Sequence, residues 1–115
     1  MSTAPKDRTR LVQTTLEVLG GKWKILILWN IRDRPRRLSE LKRLIPAISE
    51  KMLIQQLRDL EKDGIVHRHD YYEMPPRVEY SFTAHGETLK PIFPVLCKWG
   101  ELHLKQIEND GRLNH

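Results

Sequence analysis

The side chains richest in recognition chemistry crowd into one stretch of this 115-residue chain, SEKMLIQQLRDLEKDGIVHR at residues 49–68. At helical spacing, Leu53, Leu57 and Leu60 share one stripe, and Lys51, Gln55, Arg58 and Lys62 share the opposite one. Glutamine amides pair with adenine edges, Lys and Arg bond guanine, and a Met side chain touches a thymine methyl. The set therefore suits base edges in a nucleic-acid groove. It also suits a solvated helix face, the commoner meaning of a polar stripe taken in isolation. The surrounding elements have to decide between the two.

Other reactive groups point to less. His67 and His69 share one face of a strand while Asp70 points away, and two ligands do not close a metal site. Neither a metal nor a cofactor is expected. Cys97 is the single cysteine, which rules out an internal disulfide and a cysteine-built zinc site. Its neighbours Val95, Leu96 and Trp99 favour a buried, inert thiol over a redox switch. Trp23, Trp29 and Trp99 read as core or interface rather than as an effector pocket. There is no glycine-rich phosphate loop, nucleophile signature or acid–base pair, so an enzyme is not expected.

Composition narrows the class. Hydrophobic residues make up 39% and charged residues 30%, as in one polar globular domain. Lys and Arg number 20 against 15 Asp and Glu, a net charge of +5 that favours an acidic partner such as nucleic acid. MSTAPKDRTR lacks the apolar core of a signal segment, and the longest apolar run, Ile25 to Trp29, is too short to span a membrane. A cytoplasmic protein without a membrane partner is expected.

The elements that must position the polar stripe follow from periodicity. A tail at 1–8 precedes a helix at about 9–19, where Leu11, Thr15, Val18 and Leu19 recur. Gly20-Gly21 ends it. KWKILILWNIR at 22–32 fits either a buried strand or a helix buried all round, and its lysines lean towards helix. Asp33-Arg34-Pro35 turns the chain, and Arg36-Arg37-Leu38 reads as a very short strand. Ser39 is expected to cap a helix at 40–45 with Leu41, Leu44 and Ile45 inward. Ser49 caps a second at about 50–62, with Gly64 at its end. Helix, short turn, helix is the helix-turn-helix plan. Strands at 65–73 and 77–83 flank Met74-Pro75-Pro76, with Val78, Tyr80 and Phe82 inward, which makes the unit a winged helix. Thr83 caps a last helix to about 107, in which Pro91 and Pro94 should bend or break the backbone. A tail at 109–115 follows. The fold class is mainly α with a small β-hairpin: one winged helix-turn-helix domain, 9–108, flanked by terminal helices whose apolar surplus suggests dimerisation.

LEVLGGKWKILILWNI, RRLSELKRLIPAISEKMLIQQLRDLEKDGIVHR, YEMPPRVEYSFTAHGETLKPI and LCKWGE together resemble the HxlR family of bacterial, MarR-like winged-helix transcription regulators over roughly 11–104. The resemblance implies the helical reading of 22–32, a homodimer built from the terminal helices, DNA binding near a promoter and a lean towards repression. Several members carry a Cys-Pro pair at the start of the first helix, and in redox-sensing members a cysteine there is the sensor. Arg10-Leu11 stand at those positions here, so that chemistry does not carry over.

On this plan Ser49, Lys51, Met52, Gln55, Gln56 and Arg58 are expected to face the major groove of a palindromic operator. Arg36, Arg37, Lys42 and Arg43 are expected on phosphates. Arg77 has two readings: a minor-groove or phosphate contact, or a partner for Glu73 or Glu79 across the hairpin. Leu11, Val18, Leu96, Trp99, His103 and Ile107 are expected at the dimer interface. A small-molecule effector of unknown identity is admitted as a partner, although no residue pattern names it. The competing function is a protein-interaction module, since winged helices also dock proteins through the same helix. Its mark would be apolar residues on the reading face, where Ile54 is the strong candidate. Gln55→Ala should weaken binding to a preferred duplex more than to random DNA. Equal losses on both, by fluorescence anisotropy, would argue against base reading.

Overall fold

A computed structural model describes residues 7–111. Along them run α1 (Arg8–Leu19), α2 (Lys24–Ile31), α3 (Leu38–Leu44), α4 (Glu50–Lys62), β1 (Val66–Asp70), β2 (Val78–Phe82), α5 (Ala84–Glu87) and α6 (Ile92–Asn109). The expected tails fall largely outside the described residues; Asp7 caps α1 one residue earlier than expected by accepting from the Thr9 N–H.

One core holds the middle of the chain. Ile27, Leu28 and Ile31 of α2, Leu41 of α3, and Leu53, Leu57 and Leu60 of α4 are buried together with Ile65, Val66, Tyr80 and Phe93. Each fully buried aliphatic side chain contributes about 1.5–3 kcal/mol. The α2 run, open between strand and helix in sequence, is a helix: its buried positions fall at i, i+1 and i+4. Ile45 and Ile48 are also buried, and the Ile48 N–H donates to the Ile45 carbonyl at 3.2 Å, so the turn between α3 and α4 is pinned by its own apolar residues.

Several local expectations need correction. Ser39 does not cap α3. Arg37 is the N-cap, and Glu40 accepts its N–H at 3.0 Å. An arginine side chain has no acceptor, so only this half of a capping box can form. Leu44 is 42% exposed rather than inward. The short strand at 36–38 reduces to one bridge, in which Arg36 exchanges both backbone bonds with Tyr80 at 3.0 and 2.8 Å. The last helix is two helices. Thr83 caps α5, its Oγ1 accepting from the Gly86 N–H, and Pro91 caps α6. Pro94 lies in the first turn of α6, where an N–H would be unpaired anyway, and breaks nothing.

The end of α4 aims the hairpin. Gly64 has φ of 73°, its N–H donates to the Glu61 carbonyl, and the Ile65 N–H reaches back to Leu60 at 2.9 Å. This is a Schellman motif, with Leu60 and Ile65 as its buried apolar pair. It feeds β1 into antiparallel pairing with β2, Val66 opposite Phe82 and His69 opposite Glu79. Gly86 meets a different demand, because a Cβ there would strike the Ile65 carbonyl oxygen and the Phe82 ring.

These two glycines separate backbone cost from close approach. Gly64→Ala should cost about 1–2 kcal/mol from the left-handed conformation alone, since nothing stands near its Cβ position. Gly86→Ala should cost more, because backbone must move. A urea-unfolding midpoint less affected by the Gly86 change than by the Gly64 change would contradict this packing.

Candidate DNA interface

The candidate interface is built on α4, whose inner stripe is locked into the core. Ser49 caps the helix, its Oγ accepting from the Met52 N–H at 3.1 Å. Lys51, Met52, Gln55 and Arg58 are exposed, whereas Gln56 is half-buried and donates to the Met52 Sδ at 3.5 Å. Lys51, Gln55 and Arg58 stand at i, i+4 and i+7 on one line. At 1.5 Å rise per residue they span about 10 Å, three base-pair steps of duplex DNA. Glu50, Lys51, Ile54, Gln55 and Arg58 line a shallow open depression along this face. Glu50 suits the helix dipole but repels a phosphate, which weighs against the helix start as an anion site.

The basic cluster next to α4 divides in two. Arg37 and Arg43 are exposed. Arg36 turns inward: its side chain is 15% exposed, its Nε donates to the Asn30 carbonyl at 2.8 Å, and Asp33 and Glu40 each lie 3.8 Å from its terminal nitrogens. Its Nε is committed to that carbonyl and its terminal nitrogens face two carboxylates, an arrangement that favours a structural role over the expected phosphate contact. Lys42 lies between the two cases, half-buried and donating to the Pro46 carbonyl at 3.0 Å. Glu40 organises the group. The hydrogen bond from the Arg37 N–H, then the charges of Arg34, Arg36 and Arg43, hold its carboxyl below the ordinary carboxylate range.

Arg77 follows its second reading. It lies 3.7 Å from Glu73 and 3.8 Å from Glu79, with its guanidinium 3.5 Å above the Tyr71 ring. Contact with the Tyr71 side chain, then the charges of Glu73 and Glu79, push it further above the ordinary arginine range. The Tyr71 hydroxyl donates to Glu79 at 2.9 Å, closing the cluster. Sequence reading missed Tyr71, although the alternation of residues 71, 77 and 79 around the wing was visible.

The terminal helices keep their apolar surplus uncovered. Leu11 is 47% exposed, Leu16 61% and Trp99 62%. Leu96 and His103 are exposed, Ile107 and Val18 half-buried, and Val18 packs against its own core. His103 stacks flat on Trp99 with centroids 4.9 Å apart. Cys97, expected buried, is exposed, and with Ile25, Leu26, Trp29, Phe93 and Leu96 it lines an apolar groove of about 240 Å³ between α2 and α6. The local sequence is apolar, but among the described residues no element covers that side of α6.

Comparison with known proteins now places the fold. A family model for the HxlR-like helix-turn-helix matches residues 18–108. The chain belongs to the HxlR-like family. It is 52% identical over 99 residues to the HTH-type transcriptional regulator YkvN of Bacillus subtilis (strain 168), covering 86% of this chain and 84% of that one. Among solved structures it is similar to the redox regulator HypR in its reduced form, with a TM-score of 0.80, 45% identity, and 86% and 98% of the two chains covered. It is also similar to a MarR-family transcriptional regulator from Enterococcus faecalis V583, at a TM-score of 0.78, 35% identity, and 94% and 99% coverage. As an HxlR-type winged helix-turn-helix protein it is a DNA-binding transcription regulator. No helix among the described residues is long and apolar enough to cross a membrane.

The two classes of arginine give opposite expectations. Arg43→Ala should lower affinity on every duplex and flatten the salt dependence by about one unit of slope. Arg36→Ala should lower the thermal midpoint and leave that slope intact. A flattened slope for Arg36→Ala would return it to the phosphate set.

Proposed function

We propose that this protein is a cytoplasmic homodimeric repressor that reads a palindromic duplex operator with α4. The observation carrying this reading is the division of α4 itself, with Leu53, Leu57 and Leu60 buried and Lys51, Gln55 and Arg58 exposed on one line. Lys51 and Arg58 bond guanine edges, Gln55 an adenine edge, and Met52 a thymine methyl. Arg37 and Arg43 hold neighbouring phosphates and set register without reading sequence. Repression follows from occupancy: a dimer seated at a promoter excludes the transcription machinery.

Support for the dimer is physical. The radius of gyration is 17.1 Å, against about 13 Å for a compact domain of this length. Val95, Trp99 and Leu102 of α6 and Leu11, Val12 and Leu16 of α1 are all exposed in the single chain. Large apolar side chains left exposed on two helices favour an association face. Leu96, Trp99, His103 and Ile107 fall at steps of three and four along α6, the spacing of a helix–helix seam. The groove beside Leu96 continues this stripe, so a partner protomer covers Cys97 as well.

Two-fold pairing places two α4 helices on half-sites about one helical turn apart. Trp99→Glu should therefore halve the mass seen by sedimentation velocity at micromolar concentration, and should lower operator affinity by at least about 100-fold through loss of the second half-site. A variant that remains dimeric and binds fully would refute this interface.

A further inference from the structure

We infer that Asp59 is a positioning residue for base reading, and that it holds the Gln55 amide in a single orientation. The inference rests on the reading helix proposed above and deepens it.

Gln55 Nε2 donates to Asp59 Oδ1 at 3.1 Å. The other oxygen of that carboxylate, Oδ2, lies 3.7 Å from Lys24 Nζ. Lys24 is the first residue of α2, its side chain only 12% exposed, and α2 is anchored by the fully buried Ile27 and Leu28. The Gln55 side chain on the exposed face is thus tied through Asp59 to a helix in the core. None of these links touches the partner that Gln55 would read.

The chemistry of the tie matters more than its strength. A terminal amide is nearly symmetric in shape, and turning it over exchanges its donor and acceptor. A carboxylate accepts and cannot donate. Asp59 therefore bonds the amide with nitrogen towards it and repels the reversed form, in which oxygen would face oxygen. With one amide hydrogen engaged by Asp59, one N–H and the carbonyl remain. An adenine edge asks for that pair, a donor to N7 and an acceptor for the N6 amino group. Asparagine at position 59 has the same shape but both donates and accepts, so it would support either orientation and admit the reversed pattern.

A bond between residues four apart on a helix also stabilises the helix, and that ordinary role predicts something different. Loss of a purely structural bond moves the melting temperature and affects all duplexes alike. Loss of orientation changes preference at one base pair only.

The test uses the full chain. Wild-type protein selects its duplex from a randomised pool, and anisotropy is then measured on that duplex and on variants with each base pair replaced in turn. Gln55→Ala identifies the pair Gln55 reads. At that pair Asp59→Asn should lose most of the discrimination of a bidentate contact, between about 5- and 150-fold, with the preferences at the other pairs unchanged. Asp59→Glu, which keeps an acceptor-only group, should retain part of it, and Lys24→Met should lose part of it. The inference is overturned if Asp59→Asn keeps the wild-type preference there, or loses affinity evenly at every pair. If Gln55→Ala leaves all preferences intact, the inference falls, while selective binding by the wild type leaves the proposed function standing. A wild type that selects no duplex would sink both.

Discussion

Everything else in this structure depends on the burial of one stripe of α4. Leu53, Leu57 and Leu60 are essentially inaccessible, and together they contribute several kcal/mol of apolar burial. Their packing against α2 and the start of the hairpin fixes how α4 is rolled about its axis. That roll alone decides which residues face outward, because side chains three and four apart share a face. A rotation of one residue would turn Arg58 or Gln56 inward and expose a leucine. The proposed reading face is thus set from behind, by residues that are themselves buried.

The electrostatics obey a similar division. A net charge of +5 suggests an abundance of cations for a phosphate backbone, yet several are engaged within the fold. Glu40 gathers Arg34, Arg36 and the Arg37 N–H around the start of α3. The wing does the same on a smaller scale, where Glu73 and Glu79 flank Arg77. Both clusters stiffen the elements beside α4, while Arg37 and Arg43 stay exposed. The proposed phosphate contacts fall to exposed residues, and the ion pairs within the fold to different individual residues of the same types.

That difference marks how far the sequence could be read. The helix-turn-helix, the hairpin, the Ser49 cap and the Gly64 terminus were legible because local chemistry specifies them within a few residues. The helical character of α2 was open, since a run buried on most sides has no periodicity to show. Ser39 fits the N-cap pattern by residue type, but the Glu40 side chain reaches back to the Arg37 N–H and starts the helix earlier. The roles of Arg36 and Arg77 depend on the Asn30 carbonyl and the Tyr71 ring, contacts that no spacing rule reveals. Cys97 is exposed because apolar neighbours in sequence do not amount to apolar surroundings in space. They lie on a helix side that the described residues leave uncovered.

The exposed apolar residues of α1 and α6 and the polar line on α4 are the observations behind the proposal that two copies sit on a duplex. The most direct test is to titrate purified protein into duplexes tiling the DNA upstream of its own gene and into scrambled duplexes of equal length, by anisotropy at two salt concentrations. Tight binding to one tile, weak binding to its scramble and a steep loss with salt is the predicted result. Equal, weak binding to every duplex at both salt concentrations would contradict the account and turn attention to a protein partner for α4.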